Sequence, residues 1–227
     1  MKNFELSLYI LIGRCLPKLP RASGVMNRIF KPIYNRKKRD LVTVDVMGKL
    51  MELDASEDVD GNLLFCPQLY DFKEMAFMYS ILKSGDCFID VGAHIGLYSL
   101  MASKYIDKGK IVSIEADPNT FVRLEKNIRL NEINNVIGVN KGVSDKFETL
   151  SLSLNLGGNK GGQSFLGNSG QGVVDVECFA LLDILKEINV GSIKLMKLDL
   201  EGFEYKVLSQ FFIDADKELY PKYIITE

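Results

Sequence analysis

Several patterns that define common site types are scarce or missing in this sequence. Its 227 residues include one histidine, and its four cysteines show no C-x-x-C spacing, so no metal site is expected. Unpaired cysteines favour a reducing, cytoplasmic compartment. The apolar segment at residues 4–12 is too short to span a bilayer, and the absence of a small-residue cleavage site argues against a signal peptide. The dinucleotide-binding pattern G-x-G-x-x-G is also absent.

Positive charge is concentrated in the first 40 residues. They hold ten lysines and arginines against Glu5 and Asp40, a formal charge of +8, whereas residues 41–227 hold 18 against 28 and carry −10. The acidic body predicts no nucleic-acid partner. Residues 1–40 are predicted to form a basic amphipathic extension. It is either a peripheral anchor on an anionic membrane surface or a helical arm packed on the domain, and Pro32 interrupts any long helix.

The segment from Gly85 to Pro118 predicts a strand, a glycine turn, a helix and a second strand. Short apolar runs at Cys87–Val91 and Ile111–Ile114 are typical of strands buried in a parallel sheet. Gly92 to Gly96 form the turn, and Leu97–Tyr105 has helical periodicity. Ligands of such sheets bind beyond the carboxyl ends of the strands, so this turn is the predicted cofactor site.

The residues around the turn indicate which cofactor it binds. Glu115 ends the second strand, where an acid accepts hydrogen bonds from both ribose hydroxyls. Asp90 precedes the turn and would repel a pyrophosphate, but it suits a cationic group. S-adenosylmethionine, with its amine and sulfonium, therefore fits better than NAD. The predicted cofactor-binding residues of this unit are Asp90, Gly92, Ala93, His94, Gly96 and Glu115.

Three motifs in order, DVGAHIGLYSL, SIEADP and KLDLEGFE at Lys197–Glu204, make the chain from Gly85 onward resemble the FkbM family of S-adenosylmethionine-dependent methyltransferases. The resemblance implies an α/β fold with a Rossmann-like class I methyltransferase sheet in residues 41–227. It also implies that Ser144 and Asp145, after the third strand, lie against the adenine; their alternative role is turn formation.

The remaining elements are expected in a simple order along the chain. The sheet should have the strand order 3-2-1-4-5 and be truncated after the fifth strand, with Glu227 matching a family position where an acid ends that strand. A glycine-rich loop between two strands is either a substrate lid or a disordered tip. The predicted elements are a hairpin at Leu41–Leu53, a polar turn at Ser56–Asn62, helices at Glu74–Leu82, 118–130, Leu181–Ile188 and Tyr205–Phe212, a hairpin from Leu150–Leu156 and Val173–Phe179, and strands at Val136–Asn140, Ile193–Leu198 and Tyr223–Thr226.

Three functions are compatible with these motifs. The first is methyl transfer to a hydroxyl of a sugar or another small-molecule or glycan acceptor, with Asp199 as the first candidate for the base, His94 as the second and Glu201 as the third. Asp199 could instead cap a turn, and His94 could pack within the glycine turn. Glu201 could instead lie in the first turn of the next helix, where the helix dipole stabilises an acid. The other two functions are a nicotinamide-dependent oxidoreductase and a non-catalytic binding module.

Overall fold

A computed structural model describes residues 2–15, 28, 41–55, 57–153 and 173–226 of the chain. The predictions for most of residues 16–40, for the glycine-rich loop and for Glu227 lie outside these ranges. The described chain divides into two compact units, one within residues 1–75 and the other within residues 76–226. The predicted boundary at residue 40, between the extension and the methyltransferase-like domain, stays a prediction.

The first unit contains helix α1 (Lys2–Arg14), an antiparallel hairpin of β1 (Val42–Val46) and β2 (Lys49–Leu53), and helix α2 (Asp58–Phe65). The hairpin confirms the prediction for residues 41–53, and its turn contains Gly48 with a φ of 86°. No helix among the described residues is long and apolar enough to cross a membrane.

Helix α2 corrects the prediction of a polar turn at Ser56–Asn62. Asp58 and Asp60 lie in its first turn, where acidic residues are stabilised by the helix dipole. The Asp60 carboxylate also accepts a hydrogen bond of 2.6 Å from the backbone N–H of Asp54. Because Leu63 and Leu64 are fully buried, packing of the second half of the helix outweighs the turn-forming character of its first half.

The second unit is built on a five-stranded parallel sheet. Its strands are β3 (Cys87–Val91), β4 (Lys110–Ile114), β5 (Val136–Val139), β9 (Leu195–Leu198) and β10 (Tyr223–Thr226). They lie in the order β10-β9-β3-β4-β5, which is the predicted 3-2-1-4-5 order read from the opposite edge. Among the described residues, β10 pairs only with β9.

The helices of this unit begin and end close to their predicted bounds. The helix after the second strand is capped as expected, because the Asp117 carboxylate accepts a hydrogen bond from the Asn119 N–H and Pro118 occupies the first turn. The helix after the glycine turn ends at Ala102, three residues earlier than predicted. The helices are α3 (Phe72–Ile81, which begins in the first unit), α4 (Leu97–Ala102), α5 (Pro118–Leu130), α6 (Leu181–Glu187) and α7 (Glu204–Asp214).

A second, three-stranded sheet has the order β6-β8-β7, with β6 (Gly142–Ser144), β7 (Glu148–Ser153) and β8 (Val173–Ala180). Strands β7 and β8 form the predicted antiparallel hairpin. Strand β6 was not predicted, because three residues are too few to show a period. Its parallel pairing with β8 needs Gly142, since a Cβ there would lie 2.3 Å from the Cys178 Sγ.

The three inner strands of the central sheet, β9, β3 and β4, are buried on both faces. One face carries an aliphatic cluster that packs against α6 and α7 residues such as Leu185 and Phe211. The other face is mixed, because a row of polar side chains crosses three neighbouring strands. In this row Asp90 of β3 is paired in register with Ser113 of β4 on one side and with Lys197 of β9 on the other, and all three are buried.

Candidate active site

The glycine turn after β3 is held tightly against the two neighbouring strands. The N–H groups of Gly92 and Ala93 both donate 2.9 Å hydrogen bonds to the Ile114 carbonyl at the end of β4. Gly92 has a φ of 75°, and a Cβ at this position would lie 2.0 Å from the carbonyl oxygen of Asp199. Only glycine allows both the left-handed conformation and this close approach.

Two further residues of the turn adopt left-handed conformations. His94 has a φ of 50° and Gly96 a φ of 92°. The His94 side chain is half-buried, whereas Ala93 and Gly96 are buried. Left-handed backbone at a residue other than glycine is uncommon and costs free energy, so the surrounding contacts hold His94 in place.

Glu115 supplies the contact that holds His94. Its Oε2 accepts a 2.8 Å hydrogen bond from the His94 N–H, and its Oε1 accepts a 2.9 Å bond from the Asp117 N–H. The side chain is buried, and burial raises the pKa of the carboxyl to about 7, although both N–H donors favour its charged form. Glu115 therefore lies at the predicted place, beside the glycine turn at the carboxyl end of β4.

Asp90 lies in the polar row beneath α4. Its Oδ2 accepts a 2.6 Å hydrogen bond from the Ser99 hydroxyl, which is also 2.6 Å from the Ser113 hydroxyl. Among the described residues, Oδ1 has no hydrogen-bond partner. Burial raises the pKa of Asp90, while the nearby Lys197 ammonium and the Ser99 hydroxyl oppose that shift. This oxygen is suited to a donor that the described residues do not provide.

Asp199 lies one residue beyond the end of β9, and its backbone N–H donates to the Val91 carbonyl. Its carboxylate Oδ2 accepts a 2.9 Å hydrogen bond from the buried ammonium of Lys197, which also lies 4.8 Å from the ring centroid of Tyr98. One third of the Asp199 side chain is exposed, against 8% for Lys197. Lys197 thus joins the buried polar row to a carboxylate at the carboxyl end of β9.

The turn that follows Asp199 contains Glu201, with a φ of 50°, and Gly202, with a φ of 105°. Glu201 is exposed. Glu204 holds the turn, because its carboxylate accepts hydrogen bonds of 2.6 Å from the Leu200 N–H and 3.0 Å from the Gly202 N–H. Of the two acids, Glu201 is the more exposed.

Ser144 and Asp145 belong to a charged cluster at the end of β6. The Ser144 hydroxyl is buried and contacts the carboxylates of Asp145 and Glu148. The Lys206 ammonium lies 2.9 Å from Asp145 Oδ1 and 3.0 Å from Glu148 Oε1. Lys206 lowers the pKa of Asp145, and the two carboxylates raise the pKa of Lys206.

The structure thus brings most of the predicted residues to the carboxyl ends of three adjacent strands, β9, β3 and β4. Sequence reasoning missed Ser99, Ser113 and Lys197 of the polar row, and Glu148 and Lys206 of the charged cluster. A signal for Lys197 was present, because a lysine inside an apolar strand run is seldom buried without a partner. No group of three His, Cys, Asp or Glu side chains among the described residues is placed to hold a metal ion.

A parallel sheet of this order, with a glycine turn after the first strand and an acid after the second, defines a Rossmann-like nucleoside-cofactor domain. Residues 90–227 match the model of the methyltransferase FkbM domain. Because this match spans more than half of the chain, the chain belongs to the FkbM methyltransferase family, which uses S-adenosylmethionine as its cofactor.

Individual relatives match shorter parts of the chain. It is 29% identical over 167 residues to the methyltransferase sdnD of Sordaria araneosa, spanning 60% of this chain and 64% of that protein. It is 36% identical over 95 residues to a tRNA(Phe) (4-demethylwyosine(37)-C(7)) aminocarboxypropyltransferase of Pyrococcus horikoshii, spanning 41% and 31%. Among solved structures, M. jannaschii TYW2 in complex with AdoMet matches with a TM-score of 0.37 and 25% identity, over 45% of this chain and 44% of that one. The chain therefore spans less than two thirds of each of these proteins.

The close approach of Gly92 to Asp199 yields a stability prediction. In Gly92→Ala the new Cβ meets a backbone oxygen and the φ of 75° is strained, so we expect the free energy of unfolding in urea to fall by more than about 2 kcal/mol. Gly191→Ala is the matched control, because a Cβ there meets nothing within 4 Å, and its effect should stay within about 0.5 kcal/mol. Equal stability of the two variants would contradict this packing.

The raised pKa of Glu115 yields a pH prediction. Because the folded state binds this proton more tightly than the unfolded state, the contribution to stability is present below pH 4.5 and is lost as the pH rises through about 7. Relative to Glu115→Gln, the wild-type free energy of unfolding should fall by roughly 3 kcal/mol over this range. Urea titrations at several pH values measure the difference. The exposed Glu125→Gln serves as the control and should keep the wild-type slope.

Proposed function

We propose that this chain binds S-adenosylmethionine beyond the carboxyl ends of β3 and β4 and catalyses methyl transfer to a hydroxyl of a small-molecule or glycan acceptor. The observation that carries the proposal is the Glu115 carboxylate, which is held by two backbone N–H groups beside a turn with no room for a Cβ at position 92. Each carboxylate oxygen has a second lone-pair direction, so Glu115 accepts the two ribose hydroxyls without giving up these bonds.

The charges of the site fit a cationic cofactor. Asp90, Glu115 and Asp199 come from three adjacent strands, and Lys197 offsets only part of their negative charge. The unpartnered Oδ1 of Asp90 is suited to the amino end of the cofactor, reached directly or through a bridging water. Gly92, Ala93, His94 and Gly96 form the floor of the same site. A phosphate-bearing dinucleotide would meet repulsion here, which disfavours the oxidoreductase alternative.

The bound cofactor supplies an electrophilic methyl group on a sulfonium. The protein's own task is to orient the acceptor hydroxyl for in-line attack and to take its proton. Asp199 is our first choice for the base, because it is partly exposed and its Oδ1 is not the atom that Lys197 holds. His94 is the second choice, since its half-buried ring belongs to the glycine turn. Glu201 is the third, because it is exposed on the turn after Asp199.

The proposed acceptor class rests on the charge of the chain. The Pyrococcus relative is by its name a tRNA-modifying enzyme, but residues 41–227 of this chain carry a formal charge of −10. A phosphate backbone would be repelled by such a surface, which favours an uncharged hydroxyl acceptor over a nucleic acid. Gel retardation of bulk tRNA at physiological salt would contradict this part of the proposal.

Binding of S-adenosylhomocysteine tests the cofactor site. Calorimetric titration of the chain should show saturable 1:1 binding. In Glu115→Gln one carboxylate oxygen becomes an amide donor, so we expect the dissociation constant to rise at least about tenfold.

The exposed Glu125→Gln is again the control and should bind like the wild type. Thermal melting shows whether Glu115→Gln has lost only the binding site or the whole fold. Binding of NAD with no binding of S-adenosylhomocysteine would instead support the oxidoreductase alternative. A folded chain that binds neither would favour the non-catalytic binding module.

We also propose that the first unit contacts an anionic membrane surface. Leu8, Leu11 and Ile12 lie on one face of α1 with exposures of 42%, 60% and 45%. The first 40 residues carry a formal charge of +8. An exposed apolar stripe next to a basic segment is typical of helices that lie at a lipid interface.

Vesicle sedimentation tests this contact. The chain should sediment with phosphatidylserine-containing vesicles, and less so at high salt or with phosphatidylcholine alone. Replacing Leu8, Leu11 and Ile12 by serine should weaken binding at least about tenfold. Val122→Ser, which removes an equally exposed apolar side chain from α5, should have no effect. Equal binding by the triple variant and the wild type would refute the contact.

A further inference from the structure

One ammonium group connects two parts of the candidate site that are far apart in sequence. Lys206 lies in the first turn of α7, just after the turn that contains Glu201. Its Nζ contacts Asp145 Oδ1 at 2.9 Å, Glu148 Oε1 at 3.0 Å and the Ser144 hydroxyl at 3.3 Å. All three partners follow the third strand of the central sheet, so Lys206 joins that segment to the helix after the fourth strand.

The contacts are arranged so that they fix Asp145 in one orientation. Both the Lys206 ammonium and the Ser144 hydroxyl contact its Oδ1, which leaves Oδ2 able to accept a further hydrogen bond. The Ser144 hydroxyl is itself buried and bound to Glu148. Without the ammonium, Asp145 and Glu148 would be two neighbouring carboxylates with no cation between them, and they would repel each other.

Lys206 is also held from its other side. Its ammonium lies 5.4 Å from the ring centroid of Phe203, the residue immediately before α7. The Lys206 side chain is 41% exposed, whereas those of Asp145 and Glu148 are 27% and 23% exposed. A lysine with two acids, a hydroxyl and a ring around it has little rotational freedom left, so it suits a positioning role better than a loose surface pair does.

We propose that Lys206 is a positioning residue for recognition of the adenine. By holding Asp145 Oδ1, it directs Oδ2 to accept a hydrogen bond from the exocyclic amino group of the base. This inference rests on the proposed function, because it requires that the cofactor binds with its adenine beside Asp145. It adds that the selectivity for adenine depends on a residue that does not touch the cofactor.

Two ligands that differ at a single position of the base test the proposal. S-inosylhomocysteine has a carbonyl oxygen where S-adenosylhomocysteine has the amino group, so a fixed carboxylate accepts from one and repels the other. The wild type should bind the adenosine form at least about tenfold more tightly. In Lys206→Met this ratio should fall by about tenfold, toward equal binding. Lys206→Arg keeps the charge and should retain most of the selectivity.

Lys141→Met is the matched control. Lys141 pairs with Glu187 at 2.6 Å and lies 4.6 Å from the centroid of the Phe179 ring, but it contacts neither Ser144 nor Asp145. The ratio of its affinities for S-adenosylhomocysteine and S-inosylhomocysteine should equal that of the wild type. An unchanged or larger ratio in a folded Lys206→Met would overturn the positioning role. No binding of S-adenosylhomocysteine by the wild type would instead refute the proposed function itself.

Discussion

The rest of the site depends on one buried carboxylate with two backbone donors. Glu115 binds the N–H of His94 in the glycine turn and the N–H of Asp117 at the start of α5. A single side chain thus joins the end of β4 to the turn after β3 and to the cap of the next helix. Burial disfavours its charge and the two donors favour it, so its protonation is closely balanced near neutral pH. The residue proposed to hold the ribose is therefore also one that the local fold requires.

Local patterns predicted most of this framework. The bounds of β3 and β10 agree with the predictions, because short apolar runs flanked by glycine or polar residues leave few alternatives. The Asp117 cap followed by Pro118 located the start of α5, since both residues act within one helical turn. The order of the central sheet followed from the family resemblance, and the crossover hairpin of β7 and β8 from its alternating pattern.

The parts that could not be predicted depend on contacts between distant segments. Asp90, Ser113 and Lys197 form one row only because three strands share a register, and no local pattern specifies that register. The Lys206 cluster likewise needs α7 to meet the segment after β6. Helix α2 was missed for a different reason. Asp58, Asp60 and Gly61 indicate a turn in the sequence, but burial of the residues that follow them stabilises a helix.

The position of Lys197 affects the order in which the site assembles during synthesis. Asp90, its register partner, leaves the ribosome more than a hundred residues earlier, before the Lys197 ammonium is available for it. Strand β3 then also lacks its neighbour β9, so one of its edges stays open. Until β9 is made, the glycine turn also lacks the Asp199 carbonyl against which Gly92 packs. The turn that begins the site in sequence therefore reaches its final packing only when a strand from near the end of the chain has joined the sheet.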